Sequence, residues 1–585
     1  MLSNSTSVLK RAAVLLAVLA PAAFVRAPQD EVRAGWLHVT WWDPAGDARG
    51  ARVSYHLVDD EGDAVELLLG DLPAGSEGPL ALDRRRVTVR GSRVRAGRRP
   101  ALRVRSVARQ GGARFSLSPA PASGARPYVT LLCRYADVPD TQPQPRATYE
   151  AWMTGSGYPT LDHYWREASE GRVNLAGSRV FGPYVLPGAR SDYVANGEQL
   201  LDKLVKDCTG AADADVHFPS YAGITLQFNA DLNGFSYGGS WTVAADGQAR
   251  PYPMMWMASW AGQSTYAHEI GHSFGLPHSS GPYEKTYDSK WDVMSGGGAR
   301  DPELGTHVGN HTIAWHKDRL GWIPAARRYV AAPGNDATLL LERGAAPGSG
   351  GYQLAVIPLS GDSVFYTVEA RRPAGYDGPP RLPGDAVVIH RVHTRRLRPA
   401  QVVDVDGNGN PNDTGAGWTP LETFTDEEAG VSVRVLEPTA SGFRVGITVL
   451  GPLAADDGVA PPPARMGAEY THRLAPAGTS EGVVWRVVAG SLPEGVKLAE
   501  DGTLSGIPAQ SGAFACTVEA STARARGTRQ LTLQVDRPVL QPAAVTDHLL
   551  TGVGLSPDEA RFVDLLGNRN GRLDVGDVRA WLAQP

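Results

Sequence analysis

The run His268-Glu269-Ile270-Gly271-His272-Ser273-Phe274-Gly275-Leu276-Pro277-His278 carries two histidines four residues apart. On a helix that spacing puts both side chains on one face, where they can share one metal ion. Glu269 stands beside the pair as a candidate general base. Zinc favours tetrahedral nitrogen ligands and keeps one position open when it is catalytic, so a third protein ligand is expected. His278 is that ligand. The helix must stop before His278 can turn back, and Gly275, which tolerates left-handed backbone, followed by Pro277, supplies the stop.

Downstream, Trp291-Asp292-Val293-Met294-Ser295-Gly296-Gly297 places a methionine where the metzincin form of the signature carries its Met-turn. Together these residues resemble the immune inhibitor A-like secreted metallopeptidases, with the gametolysins as more distant relatives. Leu161 to Gly171 is similar to that family's helix leading into a glycine, and Lys317 to Ile323 to its closing segment. The resemblance implies an α/β (α+β) catalytic domain with a mixed twisted sheet and an active-site helix, flanked in a multidomain chain by all-β domains. It implies one zinc ion on His268, His272 and His278, Glu269 as general base and Met294 as an apolar floor. Two residues past Met294 stands Gly296, which argues against a further tyrosine ligand of the astacin type. Asp292 either orients a ligand histidine or caps the turn. Just before the active-site helix, Met254 to Ala258 is expected to be an edge strand that pairs with peptide backbone, or else a buried connector.

Other chemistry-bearing patterns are weaker. Gly234-Phe235-Ser236-Tyr237-Gly238 matches a GxSxG spacing, but its flanks read as a glycine-rich loop and not as the strand and helix of a nucleophile elbow. His307, His311 and His316 lack a suitably placed acid and read as structural or surface residues. Three cysteines, Cys133, Cys208 and Cys516, are too few for a disulfide scaffold. Either Cys133 pairs with Cys208 or all three are buried thiols. None precedes the catalytic region, so no upstream thiolate can silence the metal.

At 585 residues the chain needs several domains. Residues 1–27, with Lys10-Arg11, an apolar run from Ala12 to Phe24 and small residues after it, read as a signal peptide, which implies a secreted, extracellular protein. Residues 28–120 show five short alternating runs, expected to form a β-barrel or sandwich, OB-like in one reading, serving as a pro-region or accessory module. Its arginines alternate without stacking aromatics, and the net charge is -5, so nucleic acid is not an expected partner. No apolar run reaches the roughly twenty residues a membrane span needs.

After a linker near Gln110 to Pro127, the peptidase domain occupies 125–325 and a β-sandwich 326–450. Within the latter, Asp404, Asp406, Asn408, Asn410 and Asp413 form an oxygen-rich glycine loop suited to calcium, with a flexible polar turn as the alternative. Residues 451–463 read as a linker. Residues 464–536 resemble the immunoglobulin-like domains of bacterial surface and secreted proteins, through Val484-Trp485-Arg486, Gly490 to Gly495 and Asp501 to Gly506. The tail, 547–585, is similar to dockerin or EF-hand loops at Asp564, Asn568, Asn570, Asp574 and Asp577, although the first ligand position relative to Gly571 falls on Leu566. A surface or cohesin-like partner for these C-terminal modules would follow. The expected activity is a secreted zinc-dependent endopeptidase acting on protein or peptide substrates. The alternative is a calcium-stabilised surface or binding protein with an inactive peptidase domain, against which the intact Glu269 speaks.

Overall fold

The computed structural model describes residues 30–46, 50–70, 78–96, 99–110, 122–138, 142–195, 198–283, 285, 287–361, 363–456, 458–477 and 482–584. The signal-peptide reading at 1–27 lies outside them, as does most of the linker that follows residue 110. The chain is multidomain and mostly β, with several sheets and few helices.

Five strands come first: β1 (Asp30–Pro44), β2 (Arg52–Val58), β3 (Ala64–Leu69), β4 (Arg85–Ala96) and β5 (Arg99–Arg109), with the short helix α1 (Pro79–Leu82) before β4. They close on themselves in the order β1-β2-β3-β5-β4-β1, with only β3 and β5 parallel. Leu37, Val39, Trp41, Leu57, Leu67, Val87, Val89 and Leu102 fill the enclosed space. Strands are usually 3–10 residues long; β1 has 15. Its first part pairs with β4, and its last five residues pair with a strand of a second sheet, Thr40 to Trp42 keeping β2 on their other edge.

That sheet continues from β1 through β9 (Phe235–Ala245), β10 (Gln248–Met257), β8 (Gly223–Phe228), β6 (Tyr128–Arg134) and β7 (Arg179–Val185). The strands β10, β8, β6 and β7 run parallel, and β9 lies antiparallel to β10. Both faces are covered, which is why these strands read as nearly unbroken apolar runs. On one face, α4 (Leu201–Ala212) packs on Leu131, Cys133, Leu226 and Trp256. On the other, α2 (Arg146–Thr154), α3 (Leu161–Ala168) and α5 (Gln263–Ser273) pack on Tyr128, Leu132, Met255 and Met257. Two sequence expectations change here. Met254 to Met257 lie in β10, enclosed by β8 and β9, so they present no free edge. The stretch after Asn233, read as a glycine-rich loop, is the strand β9, and β9 is the border that β1 covers.

Cys133 on β6 and Cys208 on α4 form a disulfide, with Cα atoms 6.0 Å apart, while Cys516 is a free, buried thiol. A short helix, α6 (Ala314–Arg319), leads into two facing sheets. One contains 328–330, 354–360, 364–371, 386–393 and 400–402, the other 336–342, 442–449, 431–438 and 423–426, around a shared apolar core. Farther on, strands 484–490, 512–521 and 525–536 face a smaller sheet of 470–473, 496–498 and 503–506. Phe562 and Val563 of the tail helix Pro557–Leu566 enter the same core as Trp485 and Leu533, so the tail is packed onto this unit. No helix among the described residues is long and apolar enough to cross a membrane.

The disulfide closes a loop of 75 residues. On chain-entropy grounds, Cys208→Ser lowers the stability of the central unit by about 4 kcal/mol, measured as a shift of the urea midpoint. An unchanged midpoint would mean that the crosslink is dispensable.

Candidate metal centre

Helix α5 sets the geometry. It ends on Gly275, whose φ is +92°. The Leu276 amide donates to the Gly271 carbonyl at 3.0 Å and the Gly275 amide to the His272 carbonyl at 2.8 Å, a double closure that reverses the chain and returns His278 toward the helix. Gly271 has its own reason to lack a side chain, since a Cβ there would stand 2.2 Å from the Met294 sulfur. Met294 is thereby packed directly under the helix, fully buried.

The three imidazoles meet at their Nε2 atoms, with separations of 3.1, 3.1 and 3.0 Å. Two of the other ring nitrogens are committed: His268 Nδ1 donates to the Val293 carbonyl at 2.6 Å and His272 Nδ1 to the Leu276 carbonyl at 2.7 Å. A carbonyl only accepts, so both rings carry their proton on Nδ1 and point Nε2 lone pairs at one another. Lone pairs so arranged repel unless a cation lies between them. The donor set therefore fits a metal ion, and tetrahedral zinc bonded through imidazole nitrogen at about 2.0–2.1 Å is compatible with it.

A fourth group, which the sequence reading missed, completes the cluster. Asp43, near the end of β1, places Oδ1 2.9 Å from His278 Nε2 and 3.5 Å from His268 Nε2, with Oδ2 3.4 Å from His272 Nε2. Asp43, His268, His272 and His278 are the one group of three or more converging histidine, cysteine or carboxylate side chains among the described residues. Trp41, two residues earlier on the same strand face, stacks on His272 with centroids 4.7 Å apart. A carboxylate at the end of an apolar Trp-Trp-Asp strand was the available signal.

Glu269 is fully buried, and neither carboxylate oxygen has a hydrogen-bond partner. Burial, and then the Asp43 charge, push its carboxyl well above the usual range. Asp43 behaves oppositely: burial opposes its ionisation, but His278 and His268 hold it well below the ordinary value. Gly238 of β9 makes room for the glutamate, since a Cβ there would lie 2.5 Å from Glu269 Oε2.

Asp292 touches no ligand ring. Its carboxylate accepts from the Met294 amide at 3.1 Å, from Ser279 Oγ at 2.6 Å and from Thr312 Oγ1 at 2.8 Å, and it lies 3.0 Å from His316 Nδ1. It thus ties the residue after His278 to the Met294 turn. His311 bonds Glu167 at 2.8 Å, and His307 is exposed. Ser236 is buried within β9, its hydroxyl facing the Ala258 amide at 3.3 Å, so the GxSxG serine stands on no elbow.

The two oxygen-rich loops are engaged internally. Asn408 and Asn410 donate to Asp413, Asp406 accepts from Asn408, and Asp404 accepts from Tyr283. In the tail, Asp564 accepts from the Gly571 amide, Asp577 from the Asn568 amide, and Asp574 from Asn568 and Asn570.

No family model matches the chain, and no curated protein matches it. Among solved structures, an α-galactosidase/melibiase from Bacteroides fragilis described as putative aligns with 14% of this chain at 20% identity and a TM-score of 0.12. An endo-fucoidan hydrolase of glycoside hydrolase family 107 aligns with 52% at 11% identity and the same TM-score. The chain spans 19% and 34% of those two proteins, respectively. Overlaps this poor carry no argument about fold or function.

The join between β1 and β9 contains buried neutral histidines. His38 lies 2.8 Å from both Ser240 Oγ and Thr242 Oγ1, and burial, with smaller contributions from His56 and Arg84, holds its pKa well below 6.5. Burial, aided by Arg99, lowers His56 to about 3. Once the strands separate, these rings titrate near 6.5, so between the two values the separated state binds more protons. Docking is therefore fully supported above about pH 6.5 and weakens as the pH falls through that value. Exchange of β1 and β9 amides, taken relative to each amide's intrinsic rate at the same pH, is expected to accelerate between about pH 7 and about pH 5 in the wild type, and less in His56→Phe. Equal acceleration in both would remove His56 from this role.

Proposed function

We propose that the protein is an exported zinc endopeptidase of the metzincin type, similar to the immune inhibitor A-like family, held here in a latent form. The observation that carries this reading is the convergence of three imidazole Nε2 atoms beside a buried, unpartnered Glu269. Zinc bound by His268, His272 and His278 would supply a Lewis acid at that point and make water there more acidic.

The chain's own residues do the rest. Glu269 takes the proton of the attacking water and returns it to the departing amine. Strand β9 offers its border to the backbone of an extended peptide, which adds as one more strand. In this structure that border is occupied, since Thr40 to Pro44 pair antiparallel with Gly239 to Phe235. Asp43 fills the open position among the histidines, and β1 fills the place of substrate. The barrel is thus an inhibitory pro-region, using a carboxylate where no cysteine is present.

The test is hydrolysis of unfolded casein by the full-length chain, before and after trypsin cuts within residues 111–121. The uncut chain is expected to be silent and the cut chain active, with activity abolished by a zinc chelator and reduced by at least about 10²-fold in Glu269→Gln. Asp43→Ala shortens the lag before activity appears. Equal turnover by wild type and Glu269→Gln would refute the peptidase reading, and an uncut chain as active as the cut one would refute the latency. A zinc-loaded, cut and still inert protein would favour the binding-protein alternative.

A further inference from the structure

Tyr287 lies in the loop between His278 and the Met294 turn, and the chemistry described so far gives it no task. Its hydroxyl donates to Asp43 Oδ1 at 2.7 Å. Its ring stands edge-on to His268 and to His278, at centroid distances of 5.9 and 5.8 Å. The phenol therefore reaches the point at which the three Nε2 atoms converge. Asp43 Oδ1, which takes this hydrogen bond, is the oxygen 2.9 Å from His278 Nε2. In chemical terms it stands in for an oxygen of bound substrate: anionic, beside the metal ligands and hydrogen-bonded to a phenol.

The backbone supports an imposed placement. Tyr287 has φ +56°, a left-handed conformation that disfavours a side-chain-bearing residue. The Met294 turn holds it there, because a Cβ on Gly296 would lie 2.2 Å from the Tyr287 carbonyl oxygen. Position 296 is thus glycine for a reason: the backbone of Tyr287 occupies the space a side chain would need. A tyrosine hydroxyl absent from the far side of the turn is supplied from its near side.

We propose that Tyr287 is a catalytic hydrogen-bond donor to the scissile carbonyl oxygen, an inference that rests on the peptidase reading above. With β1 withdrawn, the peptide carbonyl takes the place of Asp43 Oδ1. As water adds, its oxygen bonds to the carbonyl carbon, its proton passes to Glu269, and the carbonyl π pair moves onto the carbonyl oxygen. Tyr287 donates to that oxygen as its charge grows and keeps its own proton. A donor fixed in advance favours the tetrahedral species over the flat substrate, so its effect falls on kcat and not on KM. The competing role is a latch that only holds Asp43 in the latent form, and that role ends once β1 leaves.

The experiment uses trypsin-cut, zinc-loaded full-length protein, wild type against Tyr287→Phe, on an internally quenched peptide. Removing one oxyanion donor is expected to lower kcat by about 10²-fold with KM within about twofold. Calorimetric Kd for a phosphinic peptide, whose tetrahedral oxygens mimic the charged species, rises by a similar factor while zinc content stays equal. Unchanged kcat and unchanged phosphinic Kd in the folded variant would overturn the proposal and leave the peptidase reading intact. A fall in kcat matched by lost zinc would make Tyr287 a structural support and overturn it as well. A wild type inert toward every peptide would overturn both readings.

Discussion

Three imidazole Nε2 atoms gathered within 3.0–3.1 Å of one another form the constraint to which the surrounding structure answers. Such an arrangement does not assemble unaided, because unprotonated imidazoles gain nothing from facing each other. Each must be held from behind. Backbone carbonyls at Val293 and Leu276 hold two of them, and the reversal at Gly275 brings in the third. Those carbonyls belong to the Met294 turn and to the helix terminus, so the ligand set is only as rigid as both. Gly271, by admitting the Met294 sulfur against the helix, locks one to the other.

The sandwich that follows the central sheet is part of this support. Arg371, fully buried, pairs with Asp377 at 2.8 Å and donates to the carbonyls of Trp291 and His311. Ser280, two residues past His278, exchanges backbone hydrogen bonds with Ala400 and Val402 at 2.9 Å. One unit thus grips both the Met294 turn and the strand carrying the third histidine. A buried ion pair adds little net stability, because desolvation offsets its attraction, yet losing one partner costs about 3–5 kcal/mol. Arg371 and Asp377 therefore serve geometry more than stability. Burial works against the Arg371 charge, and Asp377 overcomes it and raises the pKa.

What could be read in the sequence was local. The spacing of His268, His272 and His278, the glycine stop and Met294 are short-range patterns whose geometry a helix and one turn dictate. The alternating runs before residue 110 likewise announce strands, and five strands stand there. What could not be read depended on distance. Asp43 meets Tyr287 across 244 residues, and nothing in either neighbourhood states that β1 outgrows its barrel. β9 reads as a loop because its glycines look like turn residues; Gly238 and Gly239 are there because Glu269 and β1 approach too closely for a Cβ. The same closeness explains Gly296, which on sequence alone spoke only against one tyrosine and gave no hint of another.

Strand β1 belongs to two structures at once, and this limits how the metal centre can open. Leu37, Val39 and Trp41 are core residues of the barrel, while the segment from Thr40 to Pro44 is the cover of β9. Trp41 belongs to both, one of its neighbours being His272. The cover cannot peel away by itself, since withdrawing Trp41 from the metal centre also opens the barrel core. Burying a side chain of this size is worth at least about 2 kcal/mol, and the backbone pairing and the His38 contacts break with it. Cutting the connection to the barrel removes the tether and so the high local concentration of β1, but not these contacts. Release is then a cooperative event in which the barrel leaves whole or unfolds, with no intermediate in which β1 alone has peeled from the metal centre while the rest of the barrel stays in place.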